Sequence, residues 1–273
     1  MSIKHSLITL ASLIAFGFAS AQTPAPAAPK APEPNSTVSY NLGITSDYRY
    51  RGLSQSGLKP ALQGGIDYAN KNGFYIGTWA STIKWIKDTG RAQTPAVDSG
   101  STPLEIDIYA GYKIAASKDV TFDFGALQYW YPSNKLSNVT GSSNANTLEL
   151  YGAVTMGPVT AKYSRSQGNL FGAGLTTGTT STKGSGYFDL SATFELANGY
   201  SIVPHIGSQN VANTPNSSYT DYSLALNKDI DGLVISGTIV GTRTKNNGAY
   251  VSTTFEGRNA GKGAFIVSLK KNF

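Results

Sequence analysis

The sequence predicts an all-β protein, namely a transmembrane antiparallel up-and-down β-barrel of twelve strands. Three observations favour this fold class. Only 14% of the 273 residues are charged, whereas soluble domains average about 25%. Segments of about ten residues alternate apolar and polar side chains along most of the chain. The connections between these segments alternate between short and long, as they do in bacterial outer-membrane barrels.

The first residues have the features of an export signal. Lys4 supplies a positive charge, Leu7 to Phe18 form an apolar run, and Ala19-Ser20-Ala21 is a cleavage site of the A-x-A type. We therefore predict a signal peptide over 1–21. The alternative is a membrane anchor, for which the run is short, because a spanning helix needs about 20 apolar residues. Since no later run is longer, a membrane-embedded chain has to close into a barrel to satisfy its backbone polar groups.

The segment after the signal peptide, 22–36, contains five prolines and almost nothing large and apolar. Such a composition cannot build a core, so we predict an extended periplasmic linker. The alternative is a segment that binds the cell wall or a partner. The barrel then occupies 37–273. The absence of cysteine suits a chain that crosses an oxidising compartment.

Twelve segments are predicted as strands from their alternation or from the turn residues around them. Ten or fourteen strands remain open, because boundaries from pattern alone err by a few residues. In the third segment the pattern does not decide which face meets lipid. The segments are 37–51, 61–69, 73–85, 104–114, 120–131, 147–156, 159–166, 186–196, 200–208, 219–227, 233–242 and 264–273.

Short turns follow the even-numbered strands, and long connections follow the odd-numbered ones. An even number of strands returns both termini to the periplasm, so the long connections are predicted to lie outside the cell. The short turns are 70–72, 115–119, 157–158, 197–199 and 228–232. The long connections are 52–60, 86–103, 132–146, 167–185, 209–218 and 243–262.

Aromatic residues near the ends of the predicted strands favour membrane girdles. Tyr40 and Tyr50 lie ten residues apart in the sequence. At about 3.3 Å per residue and a tilt near 40°, they are roughly 25 Å apart along the membrane normal. We predict Tyr40, Tyr48, Tyr50 and Tyr68 as girdle residues. The terminal Phe273 resembles the aromatic signal that the barrel assembly machinery recognises, so we predict that machinery as a partner.

The stretch 46–82, SDYRYRGLSQSGLKPALQGGIDYANKNGFYIGTWAST, closely resembles the opening of the TorF-like family, a proteobacterial family of porin-like barrels of otherwise unknown function. Its Asp47, Arg51 and Gly52 are among the matching residues, and 105–112, EIDIYAGY, is similar to the next recurring block of that family. The resemblance implies a porin-like role over the whole mature chain. It brings no catalytic residue with it.

Charged residues on the predicted inward faces are the candidates for lining a pore. Opposite charges on separate walls would set up a transverse field that orients polar solutes. The alternative is that Asp47 pairs with Arg51 to pin the first loop, and that inward charges form a network that plugs a narrow barrel. The candidates are Asp47, Arg49, Arg51, Glu105, Asp107, Asp123, Glu149 and Lys162.

The predicted outer loops are basic. We expect this rim to attract anionic solutes or to lie against lipopolysaccharide phosphates, and the alternative is a solvated surface without a ligand. Because the charge is dispersed and not concentrated on one stripe, nucleic acid is not predicted as a partner. The cations are Lys59, Lys87, Arg91, Lys135, Lys183, Arg243, Lys245, Arg258 and Lys262, and the anions are Asp88, Asp98 and Glu256.

The sequence contains little that a catalytic or metal site would need. His205 is the one histidine of the predicted mature chain, and no nucleophile motif accompanies it, so we interpret it as a wall residue. We predict a passive porin-like channel for small polar or charged solutes in the outer membrane of a Gram-negative cell, without cofactor or catalysis. The alternatives are a nonconducting structural or adhesion barrel and an outer-membrane hydrolase.

Overall fold

The computed structural model describes residues 35–101, 103–174, 180–244 and 259–273. The predicted signal peptide and the predicted linker up to residue 34 lie outside these residues, as do Lys245, Glu256 and Arg258 of the outer loops. Within the described ranges, no helix is long and apolar enough to cross a membrane.

Twelve antiparallel strands form a closed barrel, which confirms the predicted fold class. Each strand pairs with the next along the chain, and the first pairs with the last to close the ring. The strands of the wall are β1 (Ser36–Thr45), β4 (Ala61–Asn70), β5 (Phe74–Thr82), β6 (Leu104–Ala115), β7 (Val120–Trp130), β8 (Thr147–Met156), β9 (Val159–Ser166), β10 (Gly186–Ala192), β12 (Tyr200–Asn210), β13 (Tyr219–Ile230), β14 (Leu233–Thr244) and β15 (Ala264–Asn272).

Three short strands and a few short helices complete the described structure. β11 (Phe194–Glu195) continues β10 beyond a break at Thr193, while β2 (Arg49–Tyr50) and β3 (Leu53–Ser54) pair only with each other. The helices are α1 (Trp85–Arg91) and the 3-10 turns Leu136–Asn138, Leu170–Gly172, Ala197–Gly199 and Pro215–Ser217.

Side chains alternate between the lipid face and the lumen along each strand of the wall. In β13, Leu224 and Leu226 are 50% and 51% exposed, whereas Ala225 between them is buried. Because successive side chains of a strand point to opposite faces, one face of each strand meets lipid and the other fills the lumen. The same alternation shows which face of the third predicted strand meets lipid, because Phe74 faces outward and Tyr75 is buried inside.

Outward aromatic residues lie toward both ends of the wall, as girdles do. Of the predicted girdle residues, Tyr40 is 50% exposed on the outer face, and Tyr68 lies on the same face between Val38 and Ile76 in register. Toward the short turns, the exposed aromatic residues are Tyr40, Phe74, Tyr112, Phe122, Phe124, Phe194, Tyr200 and Phe273. Toward the long loops they are Trp130, Tyr163, Phe188, Tyr222 and Phe265.

The first predicted strand, 37–51, is too long, because the wall strand ends at Thr45. The chain then enters the lumen, where Tyr48 is 2% exposed and Tyr50 is partly buried. The girdle prediction for Tyr48 and Tyr50 was therefore wrong. An alternating pattern of tyrosines and charged residues fits a lumen-filling hairpin as well as a strand in lipid, since both separate a packed face from a polar one.

The seam that closes the barrel runs from Asn41, the partner of Asn272, to Thr45, the partner of Ser268, and both described chain ends lie on the side of the short turns. The N–H of Phe273 donates to the carbonyl of Tyr40 at 2.9 Å, so the last residue extends the seam between β15 and β1. Lys271, an outward residue in an otherwise apolar series, donates through Nζ to the carbonyl of Asp231 in the neighbouring turn at 2.6 Å. The role of Phe273 as an assembly signal stays a prediction.

The orientation of β13 can be tested by placing arginine on its lipid face. An arginine costs about 2–4 kcal/mol at the bilayer midplane and about 0–1 kcal/mol near the interface. Leu224 lies mid-strand and Ile230 at the strand end, and both are about half exposed. We expect Leu224→Arg to lower the unfolding free energy in lipid vesicles by about 2–4 kcal/mol relative to wild type. Denaturant titration measures this difference. Ile230→Arg is the matched control, and equal losses would contradict the assignment.

Candidate functional site: the lumen and its plug

A loop between the first two wall strands folds into the barrel and occupies the outer half of the lumen. Thr45 and Ala61 are register partners in β1 and β4, so residues 46–60 lie outside the β1–β4 ladder, although Ser46 still donates its N–H to a wall carbonyl, that of Val267 on β15, at 2.9 Å. We call this segment the plug. Its backbone reverses at Arg51 and Gly52, with φ of 46° and 77°, and carries the short β2–β3 hairpin.

Asp47 and Arg49 hold the plug in its folded shape. Arg49 Nε lies 2.5 Å from Asp47 Oδ2, and Asp47 Oδ1 accepts a hydrogen bond from Ser54 Oγ at 2.6 Å. Arg49 Nη1 also donates to the carbonyls of Gly52 at 3.0 Å and Ala260 at 2.7 Å. The partner of Asp47 is therefore Arg49 and not the predicted Arg51.

Arg51 extends from the tip of the plug to the opposite wall. Its Nη1 and Nη2 donate to the two carboxylate oxygens of Glu149 on β8 at 3.0 and 2.7 Å. Nη1 also donates to Gln209 Oε1 on β12 at 2.8 Å, and the guanidinium carbon lies 4.2 Å from the ring centroid of Tyr187 on β10. This fork-to-fork ion pair is almost fully shielded, with side-chain exposures of 7% and 2%.

Gly52 packs the tip of the plug against β13 and β14. Thr242 Oγ1 on β14 donates to its carbonyl at 3.1 Å. A Cβ at this position would lie 2.3 Å from Thr242 Oγ1 and 2.6 Å from the Cβ of Asp221. The tip therefore fits its place only without a side chain, and the plug spans the lumen from β8 to β14.

Aromatic residues pack the plug against the wall and the outer loops. The Tyr48 ring lies 5.4 Å from Trp79, and the Tyr50 ring lies 5.5 Å from Tyr129 and 5.4 Å from Phe171 of the 167–185 loop. These contacts belong to one buried hydrophobic cluster that includes α1 and the 132–146 loop. This cluster fixes the plug to the wall and to the outer loops.

Three carboxylates face the packed region from β6 and β8. Glu105 accepts hydrogen bonds from Tyr48 Oη at 2.6 Å and Tyr131 Oη at 2.7 Å, and Glu149 binds Arg51. Asp107 has 0% exposure, and neither of its carboxylate oxygens has a hydrogen-bond partner among the described residues. Buried carboxylates normally have partners, so this wall has spare capacity for a donor or a cation.

The lumen between the plug and the short turns is lined by charges that are partly buried, apart from the buried Asp67. Their signs alternate around the wall and are not separated onto two sides. Lys162 Nζ lies 4.1 Å from the ring centroid of Tyr151, and Tyr75 Oη donates to Asp123 Oδ1 at 2.6 Å. The inward residues of this region are Asp67, Lys113, Asp123, Lys162, Asp189, His205 and Lys270.

The predicted transverse field is not formed in this structure. It required Arg49 and Arg51 on the β1 wall, whereas both lie on the plug, and Arg51 neutralises Glu149 in direct contact. The predicted inward facing of Glu105, Asp107, Asp123, Glu149 and Lys162 agrees with the strand register. Their role in lining a conducting pore stays a prediction.

His205 lies in a polar network that the sequence pattern did not predict. Its Nε2 is 2.7 Å from Asp189 Oδ2 and 3.2 Å from Tyr187 Oη, and its Nδ1 is 3.7 Å from Asp221 Oδ2. The pairing of β10, β12 and β13 brings these residues together from three strands. Within the described residues, no group of three His, Cys, Asp or Glu is arranged to hold a metal ion.

The exposed outer rim keeps several of the predicted cations at the surface. Lys135 Nζ lies 2.7 Å from Asp98 Oδ2, and this contact lowers the pKa of the Asp98 carboxyl. Lys59, Lys87, Lys183 and Lys262 are also exposed. Asp88, predicted as a loop charge, is instead buried in α1.

The chain belongs to the family described as "Bacterial protein of unknown function (Gcw_chp)", whose model matches residues 28–273. The TorF-like name is not confirmed by this match and stays a prediction. No match was found among curated proteins.

Solved barrels share the fold at low sequence identity. The chain is similar to the "KdgM porin", with 9% identity and a TM-score of 0.50, over 87% of this chain and 99% of that one. The same values hold for the "KdgM porin in complex with disordered oligogalacturonate". At this identity the likeness concerns the barrel fold.

Proposed function

We propose that the protein is a porin-like outer-membrane channel for small polar or charged solutes, closed at rest by the plug. The observation that carries this proposal is that a charged, partly accessible lumen ends against a loop that is not part of the wall. A wall closed by its own ladder keeps its hydrogen bonds when such a loop moves. Opening then requires breaking plug contacts and not unfolding strands.

The contacts of the plug favour a gate with discrete states. The Arg51–Glu149 pair, the Tyr50–Tyr129 hydrogen bond of 2.6 Å and the fit of Gly52 have to break together, because all three lie on one short segment. Packed interfaces of this kind switch between arrangements and do not deform continuously. We expect long closed intervals separated by brief openings.

Recordings from planar bilayers test the channel proposal. Refolded protein, with its barrel verified by heat-modifiable mobility in gels, is expected to show stepwise conductance at moderate voltage. Correctly folded protein without any conductance, both as wild type and with the plug removed, would contradict the proposal.

The second candidate is a nonconducting structural or adhesion barrel. The buried aromatic cluster around Tyr48, Trp79 and Tyr129 favours it, because a permanently filled outer half needs such packing. The two candidates differ in one result. A structural barrel remains closed when the plug is destabilised, whereas a channel opens.

Lys162 provides a test of which charges the permeating ion meets. Its ammonium lies in the partly accessible lumen, whereas Arg165 on the same strand is an exposed residue near the outer end. Removing one lumen charge changes the interaction with a passing ion by about 1 kcal/mol, or roughly a fivefold change in permeability ratio. We expect Lys162→Gln to shift reversal potentials toward cation selectivity by that factor, with Arg165→Gln as the unchanged control. Equal shifts would place the conduction path elsewhere.

Export and assembly complete the proposal. A cleaved signal peptide over 1–21 and an extended linker over 22–36 would deliver the barrel from the periplasm, and Phe273 would be read by the assembly machinery. The exposed cations Lys59, Lys183 and Lys262 would lie near lipopolysaccharide phosphates. Slower assembly of Phe273→Ala, with unchanged stability once folded, would support the role of the terminal residue.

A further inference from the structure

The wall groups that receive Arg51 form a complete binding site for a guanidinium group. Glu149 offers two carboxylate oxygens in the plane of the fork, Gln209 offers a third acceptor, and Tyr187 offers a ring face. These are the groups that recognise guanidinium by geometry and not only by charge. All three lie on wall strands, whereas Arg51 belongs to the plug.

Each of these wall groups has a second contact that does not involve Arg51. For Glu149 it is a hydrogen bond of 3.4 Å that Tyr129 Oη donates to Oε2. The amide nitrogen of Gln209 donates to the carbonyls of Gly186 and Asn210, both at 3.0 Å, which turns its oxygen toward Arg51. Tyr187 Oη donates to Asp221 Oδ1 at 3.0 Å. The Tyr187 ring also covers Gly207, where a Cβ would lie within 2.4 Å of ring carbon Cζ. The site is therefore preorganised when Arg51 leaves.

The surrounding charge favours a cation in this region. Glu105, Asp107 and Glu149 face it from neighbouring parts of the wall, and Asp107 lacks a hydrogen-bond partner among the described residues. Arg49, the other buried guanidinium of the plug, is bound to Asp47. When the plug moves, Glu149 loses its ion-pair partner and keeps only the weaker hydrogen bond from Tyr129. A buried carboxylate without a cation is strongly unfavourable, so a cation from solution would take the place of Arg51.

We propose that Glu149, Gln209 and Tyr187 form a recognition site for solutes that carry a guanidinium group, and that Arg51 is an internal ligand of this site. This inference rests on the proposed channel function and deepens it, because a guanidinium solute competes with the plug. Binding of the solute and opening of the plug are then the same event. An ammonium solute of equal charge lacks the planar fork and competes less well.

Binding of L-arginine to refolded full-length protein in detergent tests the site without any conductance measurement. We expect Arg51→Ala to bind L-arginine saturably by calorimetry at low ionic strength, at least tenfold more tightly than L-lysine. Wild type is expected to bind at least tenfold more weakly than this variant, because Arg51 occupies the site. Addition of Glu149→Gln to the variant is expected to abolish the preference for arginine.

A matched control removes a guanidinium that lies outside the plug. Arg165 is exposed near the outer end of β9, so Arg165→Ala leaves Arg51 on Glu149 and is expected to bind L-arginine no better than wild type does. Equal affinities of Arg51→Ala for arginine and lysine, or unchanged arginine binding after Glu149→Gln, would overturn the proposal. Arg51→Gln is used in the same way if the alanine variant does not refold.

The outcomes separate this inference from the channel function. Conductance without selective arginine binding would overturn the recognition site and leave the channel. Selective arginine binding without conductance in any variant would overturn the channel and leave the site. In wild type, millimolar L-arginine is expected to raise the fraction of time spent open, whereas L-lysine at the same concentration has a smaller effect.

Discussion

Arg51→Ala is expected to convert a barrel that is mostly closed into one that opens frequently. Removing one partner of a buried ion pair costs about 3–5 kcal/mol, because the other charge is left unpaired. Here the unpaired group is Glu149, which is 1% exposed while the plug is in place. At the lower value, the ratio of open to closed states rises roughly a hundredfold. Single-channel recording measures this ratio directly.

Two further variants show whether the effect comes from the ion pair. Arg51→Lys keeps the charge but cannot make the two parallel bonds to Glu149, so an intermediate effect is expected. In Arg51→Ala with Glu149→Gln, no charge is left unpaired, so the double variant is expected to open less than the single one. An open fraction in Arg51→Ala equal to that of wild type would show that the pair does not hold the plug.

Gly52→Val is expected to displace the tip of the plug by steric overlap. The residue has φ of 77°, and an added Cβ would lie 2.3 Å from Thr242 Oγ1 and 2.6 Å from Asp221 Cβ. The left-handed backbone alone costs an L-residue about 1–2 kcal/mol, or roughly a tenfold shift, and the overlap adds to it. We expect a larger open fraction and faster proteolysis within 46–60.

Gly168→Val is the matched control for that substitution. Gly168 lies in an outer loop, has no left-handed φ that would strain a side chain, and has nothing within 4 Å of an added Cβ. It is expected to behave as wild type does. If both valine variants give the same conductance and the same proteolysis, then the packing of Gly52 does not control access to the lumen.

Much of the wall could be predicted from the sequence, because lipid on one face and a polar lumen on the other impose a period of two. Leu104–Ala115 and Thr147–Met156 were predicted to within about one residue, and Glu105 and Glu149 were predicted to point inward. The short turns could be predicted for the same reason, because each one joins two neighbouring strands where both leave the membrane on the periplasmic side. The twelve-stranded barrel is thus a consequence of local pattern.

The plug could not be predicted from that pattern. Tyr48, Arg49, Tyr50 and Arg51 continue the alternation of β1, although the chain has already left the wall at Thr45. What decides their place is the long-range contact with Glu149, 98 residues later in the sequence. One sequence-level signal was available at the end of the supposed strand, namely Gly52 directly after Arg51, because glycine readily adopts the left-handed backbone that a tight turn there needs.

Complete removal of the plug tests the central claim most directly. Thr45 and Ala61 are register partners, so a two-residue Asn-Gly turn can join them and replace 46–60 without altering the register of β1 and β4. We predict a folded barrel with a stable, open conductance in planar bilayers and no long closed intervals. A folded barrel that stays closed without the plug would contradict the claim that this segment gates a channel.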